Sequence, residues 1–172
     1  MHASLGGDAH AYRQLYERYV KAMYNTALRL TGNRADAEDI IQEAFTDAYV
    51  QLRSFENRAS FGAWLKQIVV YKSIGLLKKN KIKLAGLEGE DMPEEPPAAE
   101  EEWNDLTVED IRDCIRQLPD GYRMIVSLYL LEDYNQEEIS EMLGISHSTV
   151  RTQYMRGRKK LAALLKKKKE TL

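Results

Sequence analysis

Two stretches of this chain carry positive charge with no acid to cancel it. Between Glu56 and Glu88 stand Arg58, Lys66, Lys72, Lys78, Lys79, Lys81 and Lys83, and from Arg151 to Lys169 there are nine basic residues and no acid. Concentrated charge of one sign suits a polyanion, because each neutralised phosphate releases condensed counterions. Solvated lysine-rich helix ends are the bland alternative. The second stretch says more, because Ile139, Leu143 and Ile145 flank Gly144, and Ser146 or Ser148 can cap a following helix. The inner stripe of that helix reads Val150, Tyr154, Gly157, Leu161 and Leu164. Two short helices joined by a glycine turn, the second one basic, form the helix-turn-helix pattern, whose second helix enters the major groove of DNA. Once the inner stripe is set aside, Thr149, Arg151, Thr152, Met155, Arg156 and Lys159 face outward, with Ser148 at the helix start. Arg can pair with O6 and N7 of guanine, Thr with a base or a phosphate, and Met with a thymine methyl. A helical hairpin that binds no DNA carries the same glycine turn, so the hairpin alone leaves both readings open.

Other chemistries find no support in the residues. His2, His10 and His147 lack metal-ligand spacing, and no glycine-rich loop of the phosphate-cradling kind is present. No enzyme and no cofactor is expected. Cys114, the single cysteine, shares a helical side with Ile111, Ile115 and Leu118, which predicts a buried small hydrophobe. A lone cysteine rules out a disulfide framework, no apolar run approaches the ~20 residues of a membrane span, and Met1 to Gly7 carries no secretory signal. The expected compartment is the cytoplasm, with no membrane insertion.

The elements that would position these residues are helical throughout, with no strand alternation. Leu15, Tyr19, Met23, Ala27 and Leu30 recur at helical spacing until Gly32, after which Asn33 can cap a second helix with the stripe Ala37, Ile41, Ala44, Ala48 and Leu52. A polar turn over residues 56–60 leads to a third helix with Phe61, Leu65, Ile68 and Leu76 on one side. Further helices are expected at 105–118, 120–132, 136–143 and 147–167. The near-neutral total hides a partition: residues 1–83 carry +5, residues 84–113 carry −11 and residues 114–172 carry +4, which together give −2. The acidic part includes Met92-Pro93-Glu94-Glu95-Pro96-Pro97, too poor in apolar surface to fold alone. The expected architecture is therefore all-α: a first domain at 1–83, a flexible acidic linker at 84–104 and a second domain at 105–172.

Several longer motifs resemble a known family. Tyr16-Glu17-Arg18-Tyr19, the run from Ala27 through Leu30-Thr31-Gly32-Asn33 to Gln42-Glu43-Ala44-Phe45, and Phe61-Gly62-Ala63-Trp64-Leu65 resemble the first conserved domain of bacterial RNA polymerase sigma factors of the extracytoplasmic-function (ECF) class. Leu118-Pro119-Asp120-Gly121-Tyr122-Arg123, Glu137-Glu138-Ile139-Ser140-Glu141-Met142-Leu143-Gly144-Ile145-Ser146 and Thr149-Val150-Arg151 resemble the second. Departures fall at Tyr71 and Gly75, where many relatives carry Asn and an acid or amide, and at Ser140, where Ala is common.

The resemblance implies a dissociable subunit that binds core RNA polymerase and directs it to promoter DNA, commonly restrained by an anti-sigma factor. It implies that Asp39, Gln42 and Glu43 meet the polymerase, a role suited to acids that phosphates would repel. It places Phe55, Asn57, Arg58, Ser60, Lys66, Tyr71, Lys72, Lys78 and Lys79 at the opened −10 element, where a flipped base needs a pocket and the strand needs cations. It places Ser148, Thr149, Arg151, Thr152, Met155, Arg156 and Lys159 at the −35 duplex. Trp64 is read as core, and Tyr71 as a residue that could stack on a base. Two rival classes are a stand-alone helix-turn-helix regulator, which leaves the first 83 residues unexplained, and a helical adaptor that binds only protein, against which the basic C-terminal run argues.

Overall fold

The structure, a computed structural model, describes residues 9–55, 59–79 and 106–171, with the side chain of Arg53 outside that set. The expected linker at 84–104, together with Asn57 and Arg58, lies outside the described residues. The chain divides into two compact units, Met1–Leu77 and Lys78–Leu172. Among the described residues every regular element is helical.

In the first unit, α1 (Ala9–Thr31), α2 (Arg34–Gln51), a single 3₁₀ turn (Leu52–Ser54) and α3 (Phe61–Lys79), which runs two residues past the boundary at Leu77, follow one another. Gly32 ends α1 with φ +69°, the left-handed conformation that glycine adopts without a Cβ penalty, and its N–H donates to Leu28 O at 2.8 Å. One residue later the Asn33 side chain accepts from the Asp36 N–H and starts α2. The two helices can therefore turn back on each other within three residues. They bury Ala27, Ala37, Ile41, Ala44 and Ala48 between them, and Leu52 and Leu65 complete the core. Each fully buried Leu contributes about 1.5–3 kcal/mol relative to exposure. The buried side of α3 is broader than Phe61, Leu65, Ile68 and Leu76 imply, because Val69, Val70, Ser73, Ile74 and Leu77 are buried while Ile68 and Leu76 are half-buried.

The second unit contains α4 (Val108–Arg116), α5 (Asp120–Leu130), α6 (Gln136–Leu143) and α7 (His147–Lys169). Arg123 fixes the turn between α4 and α5: it is buried, its Nη1 donates to Leu118 O at 2.9 Å and to Arg116 O at 3.2 Å, and its Nη2 donates to Asp120. Asn135 and Glu138 make a reciprocal capping box at the start of α6. Gly144 then takes φ +69° and lets the chain enter α7. Ser140, in place of a common Ala, donates from Oγ to Ile145 O at 2.6 Å and so braces that turn. Cys114 is buried with Ile115, Leu118, Leu161 and Leu165, the packing role expected of it, and burial pushes its thiol pKa up.

At the start of α4, Thr107 and Asp110 form a second capping box. Hydrogen bonds from the Thr107 hydroxyl, at 2.6 Å, and the Thr107 N–H, at 3.0 Å, hold the Asp110 carboxyl below its ordinary pKa, with Lys168 adding to the effect. A carboxyl depressed in the folded state contributes stability above its unfolded pKa, about 4, and that contribution is lost as pH falls through the lower folded value. Asp110→Asn is therefore expected to flatten the stability profile below about pH 4. Thermal melts of the two proteins between neutral pH and pH 3 check it.

Candidate nucleic-acid interface

On α7 the buried stripe is Val150, Gln153, Gly157, Leu161 and Leu165. Tyr154 and Leu164, read from sequence as inner residues, are only half-buried. Gln153 takes the place expected of Tyr154, whose ring lies at the flank and packs on Tyr129 with ring centroids 4.5 Å apart. The opposite side presents Ser148, Arg151, Met155 and Lys159 as exposed residues, with Thr149, Thr152 and Arg156 half-buried beside them. All seven expected side chains thus share one face of a single helix, spaced by three or four residues.

The first turn of that face is tightly organised. Ser146 caps α7 by accepting from the Thr149 N–H at 3.1 Å, and its Oγ lies 2.9 Å from Ser148 Oγ and 2.7 Å from Thr149 Oγ1. Of the two serines that could cap this helix, Ser146 does so. The face contains several donors, no acid from Arg151 to Lys169, and one apolar side chain, Met155. That combination suits a nucleic-acid groove.

In the first unit the expected residues fall into three groups. Asp39, Gln42 and Glu43 are exposed on α2. Beside Gln42, a groove of about 480 Å³ lies between α1 and α2, lined by Tyr12, Tyr16, Phe45, Thr46 and Tyr49. The Tyr12 hydroxyl donates to Phe45 O, and burial, with Tyr16 and Tyr49 adding, pushes its pKa up to about 12. The sequence signal for this groove was present in two aromatic pairs spaced by four, Tyr12 with Tyr16 and Phe45 with Tyr49.

The loop residues behave differently. Phe55, expected as a ring for a flipped base, is instead buried against Trp64 and Phe61, at centroid distances of 4.8 and 6.1 Å. Three aromatic rings packed together bury more surface than a solvent-facing Phe would, so Phe55 belongs to the core. Trp64 packs against the same core, as expected. Ser60 is exposed, yet its Oγ already accepts from the Ala63 N–H at 3.2 Å and caps α3. Tyr71, Lys78 and Lys79 are exposed, Lys66 is half-buried, and Gly75 has open space where a Cβ would stand. Nothing in the structure explains a glycine there.

Lys72 departs most from its expected role at DNA. Its Nζ lies 2.7 Å from Asp47 Oδ2 and 3.3 Å from Glu43 Oε2. Burial acts to lower its pKa, but the hydrogen bonds to Asp47 and Glu43 outweigh burial and hold it above the ordinary lysine value. In this arrangement its charge is directed to α2. A cation already neutralised by two carboxylates has little attraction left for a phosphate.

Comparison with known proteins finds matches to both units. Residues 15–82 match Sigma-70 region 2, and residues 108–161 match Sigma-70, region 4. The ECF RNA polymerase sigma factor SigW of Bacillus subtilis is 33% identical over 176 residues, covering 93% of this chain and 91% of SigW. The chain belongs to the ECF sigma factors. Two solved structures share its helical fold. They are the sigma factor RpoE in complex with the anti-sigma factor NepR from Bartonella quintana and CnrH in complex with the cytosolic domain of CnrY. RpoE gives a TM-score of 0.55 at 21% identity over 91% of this chain and 97% of that one. CnrH gives a TM-score of 0.51 at 24% identity over 95% and 92%. As a sigma factor, the protein is the subunit that directs RNA polymerase to promoters through its regions 2 and 4. α6 and α7 as far as Leu161 lie within the region 4 match, and Lys72 and its two carboxylates lie within region 2.

Because Ser146 organises the first turn of α7, Ser146→Ala is expected to lower stability by about 1 kcal/mol, whereas Ser146→Asp retains the cap. Urea denaturation of the three proteins tests this order.

Proposed function

We propose that residues 1–83 dock on core polymerase and hold the opened −10 element, that residues 105–172 read the −35 duplex, and that residues 84–104 connect them. The seven-residue outward face of α7 carries this reading: one amphipathic helix buries an apolar stripe and offers donors, cations and one methionine on the other side. Arg151 and Arg156 would pair with guanine edges, Met155 would meet a thymine methyl, and Ser148, Thr149, Thr152 and Lys159 would hold phosphates or bases.

In the first unit, Asp39, Gln42 and Glu43 suit a protein partner, because two exposed carboxylates on one helix face repel DNA. The adjoining tyrosine-lined groove would extend that contact with apolar surface. Asn57, Arg58 and Ser60 would hold the flipped base, and Lys66, Tyr71, Lys78 and Lys79 the strand that follows. An anti-sigma factor would restrain the protein by covering these same surfaces, a reading favoured by the complexes in which its structural relatives occur. The protein would act in the cytoplasm by binding alone, with no catalysis of its own. Among the described residues no helix is long and apolar enough to cross a membrane.

Transcription by purified core polymerase from a promoter library, with and without this chain, tests the reading. Promoter-specific starts that depend on the chain support it, and their absence across the library refutes it. On a promoter so mapped, Arg151→Ala and Arg156→Ala are each expected to cost about 1–3 kcal/mol and to relax preference at one −35 position. Unchanged −35 preference in both variants would remove the recognition role from this face.

A further inference from the structure

Glu43 and Asp47 stand four residues apart on α2, so their side chains share one helix face, where like charges repel. Lys72 reaches them from α3 and contacts one oxygen of each, Oδ2 of Asp47 at 2.7 Å and Oε2 of Glu43 at 3.3 Å. Its own side chain is 22% exposed, whereas that of Glu43 is 69% exposed. The cation is thus held low between the helices, with one carboxylate of the pair projecting above it into solvent. Asp47, Lys72, Trp64 and Tyr71 also line one open cavity of about 510 Å³ between α2 and α3, so this ion cluster sits where the proposed polymerase face and the proposed strand-holding helix adjoin.

We propose that Lys72 is a positioning residue for polymerase docking: with Asp47 as its second anchor, it holds the Glu43 carboxylate in the orientation that meets the polymerase. The proposal rests on Glu43 being a docking residue. Exposed ion pairs contribute little because water screens them and two long side chains must be immobilised. Here the geometry is more favourable, since a largely covered lysine bridges two carboxylates that would otherwise push each other apart. Removing Lys72 leaves that repulsion uncompensated, and Glu43 swings away from Asp47 into rotamers that docking must then reverse. The side-chain entropy of that reversal falls on the binding step. Arginine at the same place could fork to both carboxylates, so the conservative exchange should preserve the arrangement.

A double-mutant cycle on the full chain tests this, using core polymerase as the probe and the equilibrium affinity of the labelled chain as the readout. Lys72→Met is expected to weaken core binding by roughly three- to tenfold, Lys72→Arg to restore it, and Lys72→Met to have no further effect in a Glu43→Ala background. Circular dichroism melts of each variant establish that the fold is intact at the assay temperature. Equal losses from Lys72→Met in the two backgrounds would overturn the proposal while leaving Glu43 as a docking residue. Unchanged core affinity in Lys72→Met would overturn it as well. A Glu43→Ala variant that binds core polymerase as tightly as the parent would refute the docking reading itself, and this inference with it.

Discussion

The approach of α7 to α5 at Gly157 decides what the helix-turn-helix can offer to a partner. A Cβ at that position would lie 2.8 Å from Val126 Cγ2 and 3.3 Å from Tyr122 Cβ, and neither atom is the far end of a flexible side chain that could swing away. With glycine there, the helix backbone packs directly on α5, and its rotation about its own axis is set. One residue of a helix corresponds to about 100° of rotation, so even a small slip would carry arginines inward and apolar residues outward. Burying an unpaired guanidinium costs far more than one such contact provides. The outward set from Ser148 to Lys159 therefore follows from the inward set, with Gly157 at its centre.

The first unit meets a different constraint, since its acidic face and its lysines lie on neighbouring helices. α2 carries Asp39, Glu43 and Asp47, and α3 carries Lys66, Lys72, Lys78 and Lys79. Where the helices come within reach, one lysine bridges two carboxylates and offsets part of their charge. Away from that junction the two signs stay apart, the acids on α2 and the lysines on α3. Phe55, Phe61, Trp64 and Tyr19 form a connected aromatic cluster that joins the end of the 3₁₀ turn to the start of α3.

Much of this was legible in the amino-acid order because the governing signals are local. Gly32 and Gly144 mark positive φ, Asn33, Asn135 and Ser146 cap helices, and the spacing of small apolar residues along α2 reports a close helix pair. What escaped depends on tertiary geometry. Lys72 belongs to a basic stretch in sequence, and only the packing of α3 on α2 turns it toward Asp47. Phe55 borders a polar turn, and only Phe61 and Trp64 across that turn draw it inward. Gln153 is polar in composition, yet helix rotation set at Gly157 buries it. The tyrosine groove combines two helices, each of which shows only half of the pattern.

On the proposed function, one chain holds two separate stretches of one promoter by two different faces. Site-specific photo-crosslinking in the complex of core polymerase, this sigma factor and a mapped promoter, with one crosslinker placed at Tyr71 and another at Met155, separates the two faces. Capture of the opened non-template strand near −10 from position 71 and of duplex DNA near −35 from position 155 is the expected result. Capture of the same stretch from both positions, or from neither in an active complex, would contradict it.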